Sequence, residues 1–92
     1  MPARRQEWTY DDFARALGIN LARAREAKGW SQERVAHAAG LSGYTYQKFE
    51  KGESRPGSPM NPRLTTLLAL AQVLDTSVEE LLPADRPDVA GY

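Results

Sequence analysis

The chain has 92 residues, 41% of them hydrophobic and 26% charged, with a formal net charge of zero. This length predicts one domain with a modest core and no separate catalytic module. The lack of cysteine excludes disulfides, thiolate zinc sites and cysteine nucleophiles. The apolar runs are far shorter than the roughly 20 residues of a membrane span, and the sequence shows no secretory leader. These two observations predict a cytoplasmic protein with no membrane partner.

Charge is unevenly distributed along the chain. Residues 1–55 hold ten Lys or Arg against seven Asp or Glu, a balance of +3, and residues 56–92 hold two against five, a balance of −3. Proteins that bind polyanions regardless of sequence are usually strongly basic, so the net charge counts against that class. The asymmetry would let the first half face phosphates while the acidic half turns away.

The first predicted helix runs from about Tyr10 to Lys28 and follows a flexible arm over residues 1–8. Thr9 is suited to the N-cap position, and the aspartates after it favour the first helical turn. Gly29 can adopt the left-handed conformation that ends many helices. The apolar residues of this segment recur at helical spacing: Phe13, Leu17, Leu21 and Ala24.

Two short helices joined by a glycine turn are predicted next. Ser31 can cap a helix over residues 32–39, Gly40 supplies the turn, and Ser42 can cap a third helix over residues 43–51. This is the layout of a helix-turn-helix, whose second helix can enter the major groove of DNA.

The rest of the chain is predicted to form a loop over residues 53–61, a fourth helix to about Leu74, a fifth helix over 78–82 and a flexible tail over 83–92. Asn61 and Pro62 are typical of a cap followed by a first-turn proline. The fourth helix is expected to turn five residues inward: Leu64, Leu67, Leu68, Ala71 and Leu74. No segment shows the alternation of a strand, so the predicted fold is a compact, all-α, five-helix domain over residues 9–82.

One set of residues at fixed spacing spans residues 17–82: Arg25, Gly29, Ser31, Gln32, Ala36, Gly40, Leu41, Ser42, Phe49, Glu50, Gly52, Leu64, Leu67 and the segment 77–82. This pattern resembles the phage repressor and Cro-like helix-turn-helix family, of the xenobiotic response element type. Three features depart from the family's pattern: the longer loop before the fourth helix, Gly43 at a position that often contacts bases, and Tyr46 where an aliphatic residue usually packs. The resemblance implies a regulator that binds double-stranded DNA as a homodimer on two-fold-related half-sites.

Helical geometry selects candidate base contacts in the third helix. At 100° per residue, Tyr46, Phe49 and Glu50 share one side of the helix. The opposite side carries aromatic, hydroxyl, amide and amine groups, which can bond base edges or touch a thymine methyl. The candidate base contacts are Tyr44, Thr45, Gln47 and Lys48. An ordinary solvated face is the competing interpretation.

Candidate phosphate contacts flank this helix: Gln32, Ser42, Lys51 and Arg55. Gln32 begins the supporting helix, where its amide and free backbone N–H groups could meet a phosphate oxygen, and the resemblance implies the same role. Lys51 and Arg55 lie beyond the third helix and could neutralise phosphates. Each could equally be a solvated surface residue.

The resemblance further implies that Arg25 pairs with Glu50. We interpret this pair as a structural ion pair that is partly buried and fixes the third helix relative to the first. A buried pair is costly to break on one side, by about 3–5 kcal/mol. A solvent-exposed pair, the alternative, would contribute roughly 0–1 kcal/mol.

The leading hypothesis is therefore a sequence-specific transcriptional regulator that acts as a homodimer on double-stranded DNA. The alternative is a protein-interaction module or antitoxin-like partner binder on the same scaffold. We expect no enzyme activity, since no nucleophile, base and orienting group come together. The single histidine, His37, makes a metal site improbable. No cofactor or small-molecule ligand is evident from the sequence.

Overall fold

The computed structural model describes residues 8–91, and nearly all of the predicted flexible arm lies outside them. The secondary structure of residues 8–91 is, in chain order, α1 (Tyr10–Lys28), α2 (Gln32–Ala38), α3 (Gly43–Lys51), β1 (Glu53–Arg55), β2 (Ser58–Pro59), α4 (Leu64–Val73) and α5 (Val78–Leu81). The predicted five-helix architecture, with the helix-turn-helix at α2 and α3, is confirmed. Within residues 8–91 no helix is both long enough and apolar enough to cross a membrane.

Hydrogen bonds from side chains account for where four of the five helices begin. The Thr9 hydroxyl accepts from the Asp12 backbone N–H at 3.1 Å, and the Asp12 carboxylate accepts from the Thr9 N–H in return. This capping box satisfies N–H groups that the helix itself cannot. Hydroxyl groups cap α2, α3 and α5 in the same way, from Ser31, Ser42 and Ser77.

The core lies where α1 meets the helix-turn-helix on one side and α4 and α5 on the other. Its buried members are Ala14, Leu17, Leu21, Val35, Ala36, Tyr46, Met60, Leu70, Ala71, Leu74 and Leu81. Burial of each large apolar side chain contributes about 1.5–3 kcal/mol. Tyr46 is completely buried, so its aromatic ring fills a core position that is usually aliphatic in the family that the sequence resembles.

Residues 53–59 form an ordered hairpin within the segment 53–61 that was predicted to be a loop. Strands β1 and β2 are antiparallel, with Glu53 opposite Pro59 and Arg55 opposite Ser58. Fully buried Met60 fixes the base of the hairpin, because its N–H donates to the Gly52 carbonyl at 2.9 Å. Strands of two and three residues are too short to produce a visible alternation, which is why the sequence did not reveal them.

Helix α4 differs from its prediction in its start and its orientation. The helix begins at Leu64 after Arg63, which provides no side-chain cap, and not at Pro62. Leu64 and Leu68 are 69% and 44% exposed, so the prediction that they face inward was wrong. Seven of the ten residues of α4 are apolar, and they lie on every side of the helix. Their spacing therefore does not identify the face that is buried.

Long-range hydrogen bonds fix α1 to the C-terminal half of the chain. The Lys28 ammonium donates to the Val73 carbonyl and to the Asp75 carboxylate, each at 2.7 Å. Near the other end of α1, the Trp8 indole N–H donates to the Asp85 carbonyl at 3.0 Å. Residues 83–91 contain no helix or strand, and the flexibility of the tail stays a prediction.

Candidate functional site

The outer face of α3 carries the four candidate base contacts. Tyr44 is 70% exposed, and the Lys48 ammonium lies 4.5 Å from the centre of its ring. This cation–π contact joins two side chains one helical turn apart and is worth about 0.5–1 kcal/mol at an exposed site. Gln47 is exposed and Thr45 half-buried. The structure thus places an aromatic ring, a hydroxyl, an amide and a cation on one helical surface.

Ser42 and Thr45 are linked at the start of α3. The Ser42 hydroxyl accepts from the Thr45 N–H at 3.1 Å and donates to the Thr45 hydroxyl oxygen at 2.9 Å. Because Ser42 uses its only hydroxyl proton in this bond, it has none left to donate to a phosphate. Thr45 keeps its own hydroxyl proton, so it can still act as a donor toward a bound molecule.

Arg25, Gln32 and Glu50 form one network that connects α1, α2 and α3. The Arg25 Nε and Nη2 groups donate to the two oxygens of Glu50 at 2.7 and 3.3 Å, and Arg25 Nη1 donates to the Trp30 carbonyl at 2.9 Å. The side chains of Arg25 and Glu50 are 16% and 8% exposed. A bidentate pair of hydrogen bonds between a guanidinium and a carboxylate holds both groups in one relative orientation.

The Gln32 amide belongs to the same network. Its Nε2 donates to Glu50 Oε1 at 2.7 Å. A primary amide has two N–H donors and a carbonyl acceptor, so one donor and the acceptor remain for other partners. Gln32 can therefore contact a phosphate while Glu50 fixes its position.

The buried environment sets the protonation of this network. Burial by itself raises the pKa of Glu50, but the Arg25 guanidinium, the neighbouring Tyr46 hydroxyl and the Gln32 amide outweigh it, and the pKa of Glu50 lies below its ordinary value. The hydrogen bond to Glu50 raises the pKa of Arg25. Burial raises the pKa of Tyr46 well above its usual range. The Tyr46 hydroxyl is buried and makes no hydrogen bond of good geometry. Glu50 is therefore anionic and Arg25 cationic at neutral pH.

Acid is expected to weaken this network. Since the pKa of Glu50 is lower in the folded chain than in the unfolded chain, its contribution is complete above the unfolded value of about 4.3 and is lost as pH falls through the folded value. The difference in free energy of unfolding between the wild type and Glu50→Gln should therefore shrink from pH 7 toward pH 3, in urea titrations across that range. Glu33→Gln is the control, since Glu33 is an exposed carboxylate with no ion pair among residues 8–91. A difference between wild type and Glu50→Gln that stays constant with pH would contradict this assignment.

A groove of about 630 Å³ runs beside α3 and is lined by Ile19, Ala22, Arg23, Glu26, Gln32, Gln47, Glu50 and Lys51. It places the candidate contacts Gln32, Gln47 and Lys51 on one surface and adds Arg23, which is not among the residues predicted from the sequence. The spacing of residues 19, 22, 23 and 26 marks one outward stripe of α1, and that spacing is the signal by which Arg23 could have been found.

The candidate phosphate contacts lie at both ends of α3. Ser42 caps the start of α3 and Lys51 is its last residue. Gln32, at the start of α2, donates to Glu50 in the last turn of α3. Arg55 is exposed in β1, on the hairpin that continues from the C-terminal end of α3. The ordered hairpin gives Arg55 a defined backbone position, which a flexible loop would not.

Comparison with known proteins finds similar sequences among regulators. Residues 16–84 match the sequence model of a helix-turn-helix domain. An uncharacterized HTH-type transcriptional regulator, y4dJ of Sinorhizobium fredii, is 37% identical over 76 residues, which are 82% of this chain and 91% of y4dJ. The HTH-type transcriptional regulator AnsR of Bacillus subtilis is 33% identical over 66 residues, 72% of this chain and 52% of AnsR.

Solved structures show the same similarity in three dimensions. The restriction-modification controller protein C.AhdI from Aeromonas hydrophila superposes with a TM-score of 0.66 at 33% identity, covering 75% of this chain and 96% of C.AhdI. A hypothetical transcription factor, NHTF from Neisseria, also gives a TM-score of 0.66, at 28% identity over 78% of this chain and 76% of its own.

Proposed function

This chain belongs to the helix-turn-helix family of DNA-binding transcriptional regulators, and we propose that it recognises a specific operator by placing α3 in the major groove. The observation that carries the proposal is the contact between exposed Tyr44 and half-buried Lys48 on the outer face of α3. The Lys48 ammonium can donate to guanine O6 and N7, and the Tyr44 ring can contact a thymine methyl. Thr45 and Gln47 extend the same surface, with a hydroxyl and an amide that can bond base edges.

Contacts to phosphates position α3 on the duplex. The free amide donor of Gln32 and the cations of Lys51 and Arg55 supply them, and Ser42 can join through its hydroxyl only by giving up its bond to Thr45. Each neutralised phosphate releases bound counterions, so affinity falls as salt concentration rises. A neutral chain with these few cations gains little affinity from charge alone, and base contacts must therefore supply its selectivity.

The functional unit is a homodimer on an operator with two-fold symmetry. One nine-residue recognition helix contacts only a few base pairs. Two copies would contact successive major grooves about 34–36 Å apart and so double the sequence that is recognised.

Alanine substitutions on the outer face of α3 test the proposal. Lys48→Ala and Tyr44→Ala should each lose about 1–3 kcal/mol of binding free energy and relax the preference at one base pair. Lys51→Ala should weaken binding to all sequences alike and lower the salt dependence by about one counterion. The measurement is a fluorescence titration against duplexes selected from a random library.

Glu79→Ala, at an exposed position on α5, is the control and should bind as the wild type does. Affinity that depends neither on the duplex sequence nor on Tyr44 and Lys48 would contradict the proposal. Recovery of a protein partner with no retention of DNA would favour the interaction-module alternative.

A further inference from the structure

The groove beside α3 brings together hydrogen-bond donors from three helices. Arg23 comes from α1, Gln32 from α2, and Gln47 and Lys51 from α3. The side chains of Arg23, Gln47 and Lys51 make no ion pair or hydrogen bond within residues 8–91, and Gln32 keeps one of its two N–H donors free. The groove therefore presents unused donors, two of them cationic, to a bound molecule.

Most lysines and arginines of residues 8–91 already have a partner. Six of the ten are engaged, each with a carboxylate, a backbone carbonyl or an aromatic ring: Arg15, Arg25, Lys28, Arg34, Lys48 and Arg86. An engaged cation must give up this contact before it can neutralise a phosphate. Arg23 and Lys51, two of the four that remain, need no such exchange.

We infer that the groove beside α3 binds a phosphate of the DNA backbone and that Arg23 anchors it from α1. This inference rests on the proposed docking of α3 in the major groove, and it gives α1 a direct contact with DNA. Gln47 lies both on the outer face of α3 and in the groove, so the groove opens beside the surface that would face the bases. A strand that borders the major groove would then pass over Arg23.

Two carboxylates also line the groove, but only one of them opposes an anion. Glu50 is 8% exposed, both of its oxygens accept hydrogen bonds, and the charge of Arg25 lies against it. The Glu26 side chain is 68% exposed and lies 4.0 Å from Arg25, at the limit of an ion pair. Glu26 is three residues from Arg23 on the same stripe of α1. It therefore weakens the attraction of the groove for a phosphate.

The apolar part of the groove favours a phosphate within a nucleic-acid strand over a free phosphate ion. Ile19 and Ala22 line the groove next to Arg23, and Ile19 is 49% exposed. Protein contacts to a DNA strand involve its sugars as well as its phosphates. A cation flanked by apolar side chains can contact a phosphate and the adjoining deoxyribose together.

Neutral linkages placed one at a time in the selected duplex locate the contact. A methylphosphonate removes the charge of one phosphate and changes no base. The wild type should lose about ten-fold in affinity at the linkage that lies in the groove. Arg23→Ala should lose about the same on the unmodified duplex and nothing further at that linkage, because both changes remove one contact. Arg23→Lys keeps the charge without the paired donors and should be intermediate.

Glu26→Gln should change the affinity in the opposite direction. Removal of a negative charge beside the bound phosphate should raise affinity about two- to three-fold. Neither Arg23→Ala nor Glu26→Gln should alter which base pairs are preferred, since a phosphate carries no sequence information. Fluorescence titrations against the selected duplex and against single-base variants of it measure both effects.

Arg86→Ala is the matched control, because it removes the same charge from an exposed position after α5 that does not line the groove. It should match the wild type in affinity and in its response to every methylphosphonate. An Arg23→Ala variant that binds as the wild type does would overturn the inference. So would one that still loses affinity at every linkage that matters to the wild type. All these variants change exposed residues, and melting curves verify that they fold.

The reading of bases by α3 is tested separately, by the effect of Tyr44→Ala and Lys48→Ala on base preference. If Arg23 shows no coupling to a phosphate while these two variants relax the preference, the groove site is wrong and recognition by α3 stands. If the coupling appears and the two variants change nothing, the groove site stands and recognition by α3 is wrong.

Discussion

Gly18→Ala is expected to lower the free energy of unfolding by about 2–3 kcal/mol, although alanine is the better helix former by about 1 kcal/mol. Gly18 lies where α1 crosses the end of α3. A Cβ atom there would be 2.5 Å from the Glu50 carbonyl oxygen and 2.6 Å from that of Phe49. Because both obstacles are backbone atoms, the helices must move apart. A fall in melting temperature of roughly 10–20 °C should follow for a domain of this size.

Gly43→Ala is the matched control for Gly18→Ala. Gly43 is also helical, but a Cβ there would meet only the Glu33 Cγ, at 3.7 Å, which is an ordinary contact. Its substitution should leave stability unchanged or raise it by up to about 1 kcal/mol. If Gly18→Ala lowered the free energy of unfolding as little as Gly43→Ala does, the crossing of α1 and α3 would not be close-packed at Gly18.

Arg25→Ala is expected to cost about 3 kcal/mol, because it leaves the Glu50 carboxylate buried without its main partner. Arg25 donates to both oxygens of Glu50 and to the Trp30 carbonyl, so the substitution removes three hydrogen bonds. Arg25→Lys keeps the charge but not the paired geometry, and its loss should be intermediate. Replacing the pair together, as Arg25→Met with Glu50→Leu, should cost less than Arg25→Ala. Urea unfolding at pH 7 measures all three.

The control for Arg25→Ala is a second ion pair of α1 that lies in solvent. Arg15 pairs with Asp12 at 2.8 Å, and the Arg15 side chain is 60% exposed. Arg15→Ala should cost less than about 1 kcal/mol. If both arginine substitutions cost equally little, the Arg25–Glu50 pair does not fix the position of α3.

Local signals in the sequence were sufficient to predict most of the helical framework. The bounds of α1 and α3 were predicted to the residue, since Thr9 and Ser42 cap their starts and Gly29 and Gly52 end them in left-handed conformation. The fifth helix is one residue shorter than predicted. Caps and glycine ends act within one helical turn, so they need no knowledge of the tertiary structure.

The wrong predictions concern segments whose structure depends on tertiary contacts. The hairpin at residues 53–59 depends on the burial of Met60 and on the hydrogen bond from the Tyr10 hydroxyl to its carbonyl at 2.8 Å, across 50 positions of sequence. The inward placement of Leu64 and Leu68 failed because α4 is apolar on every side, and only its neighbours select the face that is buried.

The candidate site was predictable in part. A helical projection was enough to choose the outer face of α3, since it needs only the spacing of residues. The bond that occupies the Ser42 hydroxyl and the position of Arg23 in the groove required the packed structure. The hydrogen bond between Gln32 and Glu50 also depends on how α2 and α3 approach each other.

The contact between Trp8 and Asp85 has a practical consequence for handling the protein. A fluorophore attached at residue 8 and one attached at residue 85 would therefore occupy the same region of the surface. Moving a label from one of these two positions to the other would then not relieve a steric conflict with DNA.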